Sequence, residues 1–207
     1  MSSRVQLKVV LLGEMDCGKT SLVTRYMSGT FSSKTQTTIG AAFCQRNIRI
    51  QQKNIKIGIW DTAGMEQFQS MCSQYYKGAQ AAVICYDVTS LESFEKADFW
   101  IKEIIKMEPD CKVYVCGCKR DLTDSGSKKR AVDVHDASDR ASEAGAKFIE
   151  TSSKTGDNVD QLFLMITQDF AETAALAATA LLPDEDETTQ TIQLGADLLP
   201  KTSKCRC

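Results

Sequence analysis

A mostly parallel, doubly wound α/β sheet of six strands with helices on both faces is the fold the sequence predicts. Three observations predict it. Short apolar runs alternate with segments of helical composition from Val5 to about Ala175. Two of the runs, Ala81–Tyr86 and Lys112–Cys116, are rich in Val and Cys, as strands buried on both faces are. The motifs made of Gly, Asp and Lys fall just after such runs, where ligands bind in open α/β sheets.

Taken in order, Val5–Leu12 is nearly continuous and apolar, a buried strand, and Lys19–Met27 has helical composition. Ala42–Gln51 and Asn54–Trp60 read as two strands joined by a short turn near Gln52–Lys53. Between Ala81–Tyr86 and Lys112–Cys116, the segment Ser93–Lys106 places Phe94, Ala97, Trp100, Ile101, Ile104 and Ile105 at helical spacing. Val132–Ala144 is a further helix, Lys147–Glu150 a last short strand, and Val159 to about Ala175 a final helix. After Pro183 the composition changes to an acidic run, Asp184–Glu187, and a Thr/Gln/Leu stretch without a period. The expected organisation is a domain over residues 1–180 and a flexible tail over 181–207.

Composition narrows the function. With 207 residues, 43% hydrophobic, 25% charged and a net charge of −2, the chain suits one soluble domain. It lacks the basic footprint of a nucleic-acid binder. No secretory signal is expected, since no basic region followed by an apolar one opens the chain. The charge-free stretch Thr173–Pro183 is far too short to span a membrane. Of nine cysteines, Cys17, Cys44, Cys72, Cys85, Cys111, Cys116 and Cys118 lie in apolar strands or motif loops and read as reduced thiols. Cys116 and Cys118 could be half of a metal site, but metal binding there is not expected: no second pair has the spacing a zinc site needs, and the sole histidine is His135.

Gly13-Glu14-Met15-Asp16-Cys17-Gly18-Lys19-Thr20 fits G-x-x-x-x-G-K-[ST] between a strand and a helix. Its glycines let backbone N–H groups turn inward around phosphates, and the helix N-terminus adds positive potential. Lys19 would reach the β- and γ-phosphates and the Thr20 hydroxyl would bind Mg²⁺. In Trp60-Asp61-Thr62-Ala63-Gly64, Asp61 ends a strand beside that loop, placed for the Mg²⁺ shell, and Gly64 lets a backbone N–H approach the γ-phosphate. In Cys118-Lys119-Arg120-Asp121, the Asp121 carboxylate could accept from both N1–H and N2–H₂ of guanine, a donor pair adenine lacks. Glu150-Thr151-Ser152-Ser153-Lys154 could offer a backbone N–H to the guanine O6. An ATP-using P-loop enzyme is disfavoured by those last two segments.

In order along the chain, these motifs with Ile39–Phe43, Lys56–Gly64, Tyr75–Ala79 and Tyr86–Thr89 resemble the Rab family of small GTPases over residues 5 to about 175. The runs Gly40–Phe43, Cys85–Asp87 and Glu150–Lys154 resemble an atypical branch of it, which implies a link to autophagy. The resemblance implies a Ras-like P-loop GTPase domain that binds GTP and GDP with Mg²⁺. It implies nucleotide contacts at Asp16, Cys17, Gly18, Lys19, Thr20, Ser21, Phe31, Thr38, Asp61, Gly64, Cys118, Lys119, Asp121, Ser152, Ser153 and Lys154. Thr20, Thr38 and Asp61 would hold the metal; Lys19, Thr38, Gly64 and Met65 occupy the catalytic positions. Switch I would run from about Phe31 to Gly40 and switch II from about Gly64 to Tyr76, with Phe43, Trp60 and Tyr75 as the patch that effectors read. The implied partners are effectors, an exchange factor, a GTPase-activating protein, Rab escort protein and GDI, with the chain a monomer in the cytosol and on the cytosolic face of an intracellular membrane.

Three departures touch the nucleotide. Met65 stands where most members have the glutamine that orients the attacking water, and a thioether donates no hydrogen bond. Cys118 stands where an asparagine usually ties the base-reading loop to the phosphate loop, and a thiol is a weak substitute. Asp16 puts a carboxylate in the phosphate loop, where like-charge repulsion weakens binding if it faces the phosphates and little changes if it faces water. Together they predict a loose grip on nucleotide and slow intrinsic hydrolysis; the competing reading is a GTP-binding scaffold without useful catalysis. Cys205-Arg206-Cys207 resembles the C-x-C ending that carries two geranylgeranyl groups. From Pro183 on, five acids against three bases leave no polybasic patch, so stable anchoring needs two lipids.

Overall fold

The computed structural model describes residues 6–34, 36–50, 53–64 and 74–180, with side chains to residue 176. Strands β1 (Leu7–Gly13), β2 (Ala41–Ile50), β3 (Lys53–Thr62), β4 (Ala81–Asp87), β5 (Lys112–Cys118) and β6 (Lys147–Glu150) form one sheet, ordered β2-β3-β1-β4-β5-β6. Only the β2–β3 hairpin is antiparallel. The helices are α1 (Lys19–Ser28), α2 (Leu91–Met107), α3 (Arg120–Asp124), α4 (Val134–Glu143) and α5 (Val159–Ala180).

Alternation along the strands divides the core in two. Leu7, Val9 and Leu11 of β1 face one side, where Leu22 and Tyr26 of α1 and Leu162, Phe163 and Ile166 of α5 cover them. Tyr26 and Phe163 stack there with ring centroids 3.8 Å apart. Val10 and Leu12 face the other side, under Ala97, Trp100, Ile101 and Ile104 of α2 and Ala137 and Ala141 of α4. The Ser90 side chain caps α2 by accepting from the Ser93 N–H, and Asp133 caps α4 by accepting from the His135 N–H. The caps start α2 two residues earlier than its apolar spacing indicates and α4 two residues later than expected. Helix α5 runs past the expected end at about Ala175 to Ala180. Two strands also gain motif residues: Asp61 lies inside β3, and Cys118 is the last residue of β5 rather than part of the loop.

A buried acid ties β5 and β6 to α5. The Asp169 carboxylate accepts from Tyr114 Oη and Lys147 Nζ, both at 2.7 Å. Burial opposes its charge, but the Lys147 and Tyr114 hydrogen bonds and the Lys147 and Lys112 charges outweigh burial and hold the carboxyl below its usual range. A depressed folded value contributes stability above the unfolded carboxylate value, lost as pH falls through the folded one. Asp169→Asn is therefore expected to lower stability near neutral pH by about 1.5–3 kcal/mol. It should also flatten the fall in urea midpoint below about pH 4; parallel pH profiles for parent and variant would contradict this.

Candidate nucleotide-binding site

At the carboxyl edge of the sheet, a cavity of about 530 Å³ opens between the loops after β1 and β5, the segment before β2 and the loop after β6. It is lined by Asp16, Gly18, Lys19, Thr20, Ser21, Phe31, Thr38, Gly64, Cys118, Lys119, Asp121, Ser153 and Lys154, among others. The sequence motifs thus converge on one space.

The loop after β1 is shaped by backbone that side chains resist. Gly13 has φ of 142°, and a Cβ there would lie 2.2 Å from the Cys85 carbonyl oxygen. Gly18 has φ of 116°, and Asp16 adopts φ of 60° with its side chain exposed at the cavity mouth. The Lys19 ammonium, 5% exposed, donates to the Gly13 and Glu14 carbonyls at 2.9 and 2.7 Å, which hold it inside the loop. Cys17 is buried, and burial pushes its thiol up to about 11.

Three hard oxygen donors meet beside this loop. Thr20 Oγ1 and Thr38 Oγ1 are 2.8 Å apart, which brings the start of α1 to the segment before β2. Asp61 is 3% exposed, and its Oδ1 has no hydrogen-bond partner among the described residues. Burial pushes its carboxyl up, against a Thr20 hydrogen bond and the Lys19 charge that favour the anion. A buried, unpartnered carboxylate oxygen beside two hydroxyls suits a hard divalent cation such as Mg²⁺. Gly64 is pressed on the phosphate loop: a Cβ there would lie 2.3 Å from the Met15 nitrogen. Ala63 N–H donates to the Gly40 carbonyl at 2.8 Å and so ties the residues after β3 to the segment before β2.

On the base side, Lys119 takes φ of 65° before α3, a conformation that begins the short helix at Arg120. Asp121 Oδ1 accepts from the Ser152 hydroxyl at 2.7 Å, and Lys154 Nζ lies 4.0 Å from Oδ2. Ser152 and Ser153 are buried. Cys118 packs its Cβ against Gly18, where an added Cβ would be 3.2 Å away. Its thiol contacts Cys116, with Sγ 3.8 Å from the Cys116 carbonyl.

Three supports of the site were given no role by the sequence. Asp87, at the end of β4, pairs with Lys119 at 2.7 Å and accepts from the Thr89 N–H and hydroxyl. Burial opposes its charge, but these partners outweigh it and lower its carboxyl. Arg25 of α1 donates to the Ser153 and Lys154 carbonyls at 2.5 and 2.6 Å and fixes the loop after β6. Arg130 holds Glu150 with two hydrogen bonds, at 2.6 and 3.0 Å. The Asp87–Lys119, Arg25 and Arg130–Glu150 contacts cross long sequence separations; Asp87, Thr89 and Glu150 lie in stretches that resemble the family, which gave a signal but no role.

Outside the cavity, Phe43 is 51% exposed and its ring centroid lies 4.6 Å from that of Trp60. Lys8 Nζ sits 4.8 Å from the Trp60 ring. Tyr75 is half-buried, with its hydroxyl facing Gly40. Met65, Cys72, Cys205 and Cys207 lie outside the described residues. None of the six described cysteines is in a disulfide.

Comparison with known proteins agrees with this arrangement. The model of the Ras family matches residues 8–172. The chain belongs to the Ras family and is a Rab-type small GTPase. It is 44% identical to the Ras-related protein Rab-24 of Dictyostelium discoideum over 170 residues, 82% of this chain and 83% of the relative. It is 41% identical to the Ras-related protein Rab-5A of the same organism over 169 residues, 81% and 82% of the two chains. As a Rab-family member, it is a GTP-binding switch of membrane traffic with GTPase activity. Among the described residues no helix is long and apolar enough to cross a membrane.

Proposed function

We propose a switch with a loose grip on nucleotide and slow intrinsic hydrolysis, whose GTP-bound fraction is set largely by exchange. Residues 1–180 form the switch domain, and residues 181–207 a tail that carries two geranylgeranyl groups on Cys205 and Cys207. The anchored protein works on the cytosolic face of an intracellular membrane, with autophagic traffic as its field of action. It acts as a monomer with effectors, an exchange factor, an activating protein, Rab escort protein and GDI. The Phe43, Trp60 and Tyr75 patch is where effectors would read the GTP state.

The observation that carries the reading is the convergence of Lys19, Thr20, Thr38 and Asp121 on one cavity, with the buried, unpartnered Asp61 Oδ1 behind Thr20. In this reading Lys19 binds the β- and γ-phosphates and offsets their charge. Thr20, Thr38 and Asp61 hold Mg²⁺, which when bound neutralises phosphate charge. The Gly64 N–H donates to a γ-phosphate oxygen, and Asp121 with the Ser152–Lys154 loop reads guanine. Catalysis is positioning and charge stabilisation. The weak points are Met65, which cannot orient water by donating, and Cys118, whose thiol lies against Cys116.

The test is release and single-turnover hydrolysis of radiolabelled GTP by the parent and a Met65→Gln variant. We expect the parent to be nearly inert and Met65→Gln to hydrolyse at least about a hundredfold faster, the lower edge of what a positioned catalytic group contributes. Equal hydrolysis would mean that another group orients water. A parent that stays inert with an activating protein present would favour the scaffold reading.

A further inference from the structure

A cluster of thiols lies behind the base loop, on the sheet face that α1 and α5 cover. Cys116 and Cys118 are two residues apart on β5 and so project from the same face. Cys85 is the register partner of Cys116 on β4. The three Sγ atoms all lie within 4.8 Å of one another, with Cys116 and Cys118 4.0 Å apart. Each of these side chains is 0–1% exposed. The sequence pairs only two of the three by spacing; parallel register supplies the third.

We propose that Cys85, Cys116 and Cys118 form a three-coordinate site for a soft, thiophilic d¹⁰ cation of the copper(I) class. Geometry supports it first. With metal–sulfur bonds of about 2.3 Å, three sulfurs in a trigonal plane stand about 4.0 Å apart. Chemistry supports it second: thiolate sulfur selects soft copper(I) over the hard cations suited to the oxygens of the phosphate side. Third, the group includes no fourth thiol, imidazole or carboxylate among the described residues, so tetrahedral zinc is not matched. The Thr151 hydroxyl, 3.4 Å from Cys116 Sγ, is the nearby polar group that could steady the sulfur. Cys118 also lines the nucleotide cavity, which gives the thiols a route to solvent. Binding forms three metal–sulfur bonds, and thiol protons leave to solvent, so affinity should rise with pH. An ion there would tie the end of β5, and the base loop that follows it, to β4.

The test is anaerobic titration of the reduced, GDP-loaded full chain with copper(I) against a chromogenic copper(I) chelator, followed by X-ray absorption. A Cys205→Ser/Cys207→Ser background removes the terminal thiol pair. The expected result is one copper(I) per chain with three sulfur neighbours in that background, held more tightly at higher pH. Cys85→Ala, and separately Cys85→Ser, should each weaken it by about 100-fold or more, beyond the effect of losing an outer-shell partner. Retained GDP and an unchanged melting temperature show that the variant is folded. Cys44→Ala and Cys111→Ala should leave copper binding intact. Loss of copper in the background alone, a two-sulfur site, or unchanged affinity in folded Cys85→Ser overturns the proposal. None of these readouts depends on hydrolysis.

Discussion

Replacing Gly64 with alanine in the Met65→Gln background is expected to cut single-turnover GTP hydrolysis by about a hundredfold, the scale of losing one oriented transition-state donor. GDP release should stay within about threefold of the parent, because the interactions proposed for GDP do not include Gly64. The cause is steric and local. The added Cβ would lie 2.3 Å from the Met15 nitrogen and 2.5 Å from the Glu14 carbonyl carbon and Met15 Cα. All three are backbone atoms, so no side-chain rotation relieves the overlap. The chain at Ala63–Gly64 must then retreat from the phosphate loop and carry its N–H away from where the γ-phosphate would sit. The retreat reaches further, because Ala63 N–H donates to the Gly40 carbonyl, two residues beyond Thr38. Thr38 in turn meets Thr20 across the cavity. Loss of affinity for GTP with GDP affinity retained would mark this route. Unchanged hydrolysis would show that the phosphate loop yields to the methyl group.

Much of this arrangement was legible because its parts are local. Strands β4 and β5 announced themselves as short runs without polar alternation, and buried strands have that composition. Gly13–Thr20, Asp61–Gly64 and Cys118–Asp121 each follow a strand, so a parallel sheet brings them to one edge without further information. What was not legible is contact between distant segments. Helix α3 has five residues and no apolar period to detect. Arg25 reads as one more exposed helical cation until α1 is placed beside the loop after β6. Cys85 joins Cys116 only through strand register, since 31 residues separate them in sequence. Cys118 was expected in a loop, where a thiol faces solvent; as the end of β5 it is buried, and its sulfur turns toward Cys116. The roles of Thr38 and Phe31 came from family resemblance, because a threonine or a phenylalanine in an irregular segment carries no pattern of its own.

The largest change in specificity should come from Asp121→Asn. Ser152 Oγ accepts from the Thr155 N–H at 3.1 Å, which directs its own proton to Asp121 Oδ1 at 2.7 Å. In the variant the amide oxygen therefore keeps Ser152, and the amide NH₂ turns to the base. A carboxylate accepts only, and it matches the N1–H and N2–H₂ donors of guanine. The amide instead sets a donor against a donor, in a site where Asp121 is only 12% exposed and water cannot compensate fully. GTP affinity is expected to fall by about 10³-fold or more, as when a buried polar pair is mismatched. A triphosphate whose base carries a carbonyl in place of the 2-amino group should bind better than GTP, because that oxygen accepts from the new NH₂. ATP should gain little, since its base offers neither group at that edge. Competition against a labelled nucleotide, read for GTP, ATP and the 2-oxo analogue, measures all three. The fold should tolerate the exchange, since Asp87 still pairs with Lys119 at 2.7 Å and fixes the backbone before Asp121. Equal GTP affinity in parent and variant would remove Asp121 from base recognition. A uniform loss for all three nucleotides would mean that the carboxylate holds the loop rather than reads the base.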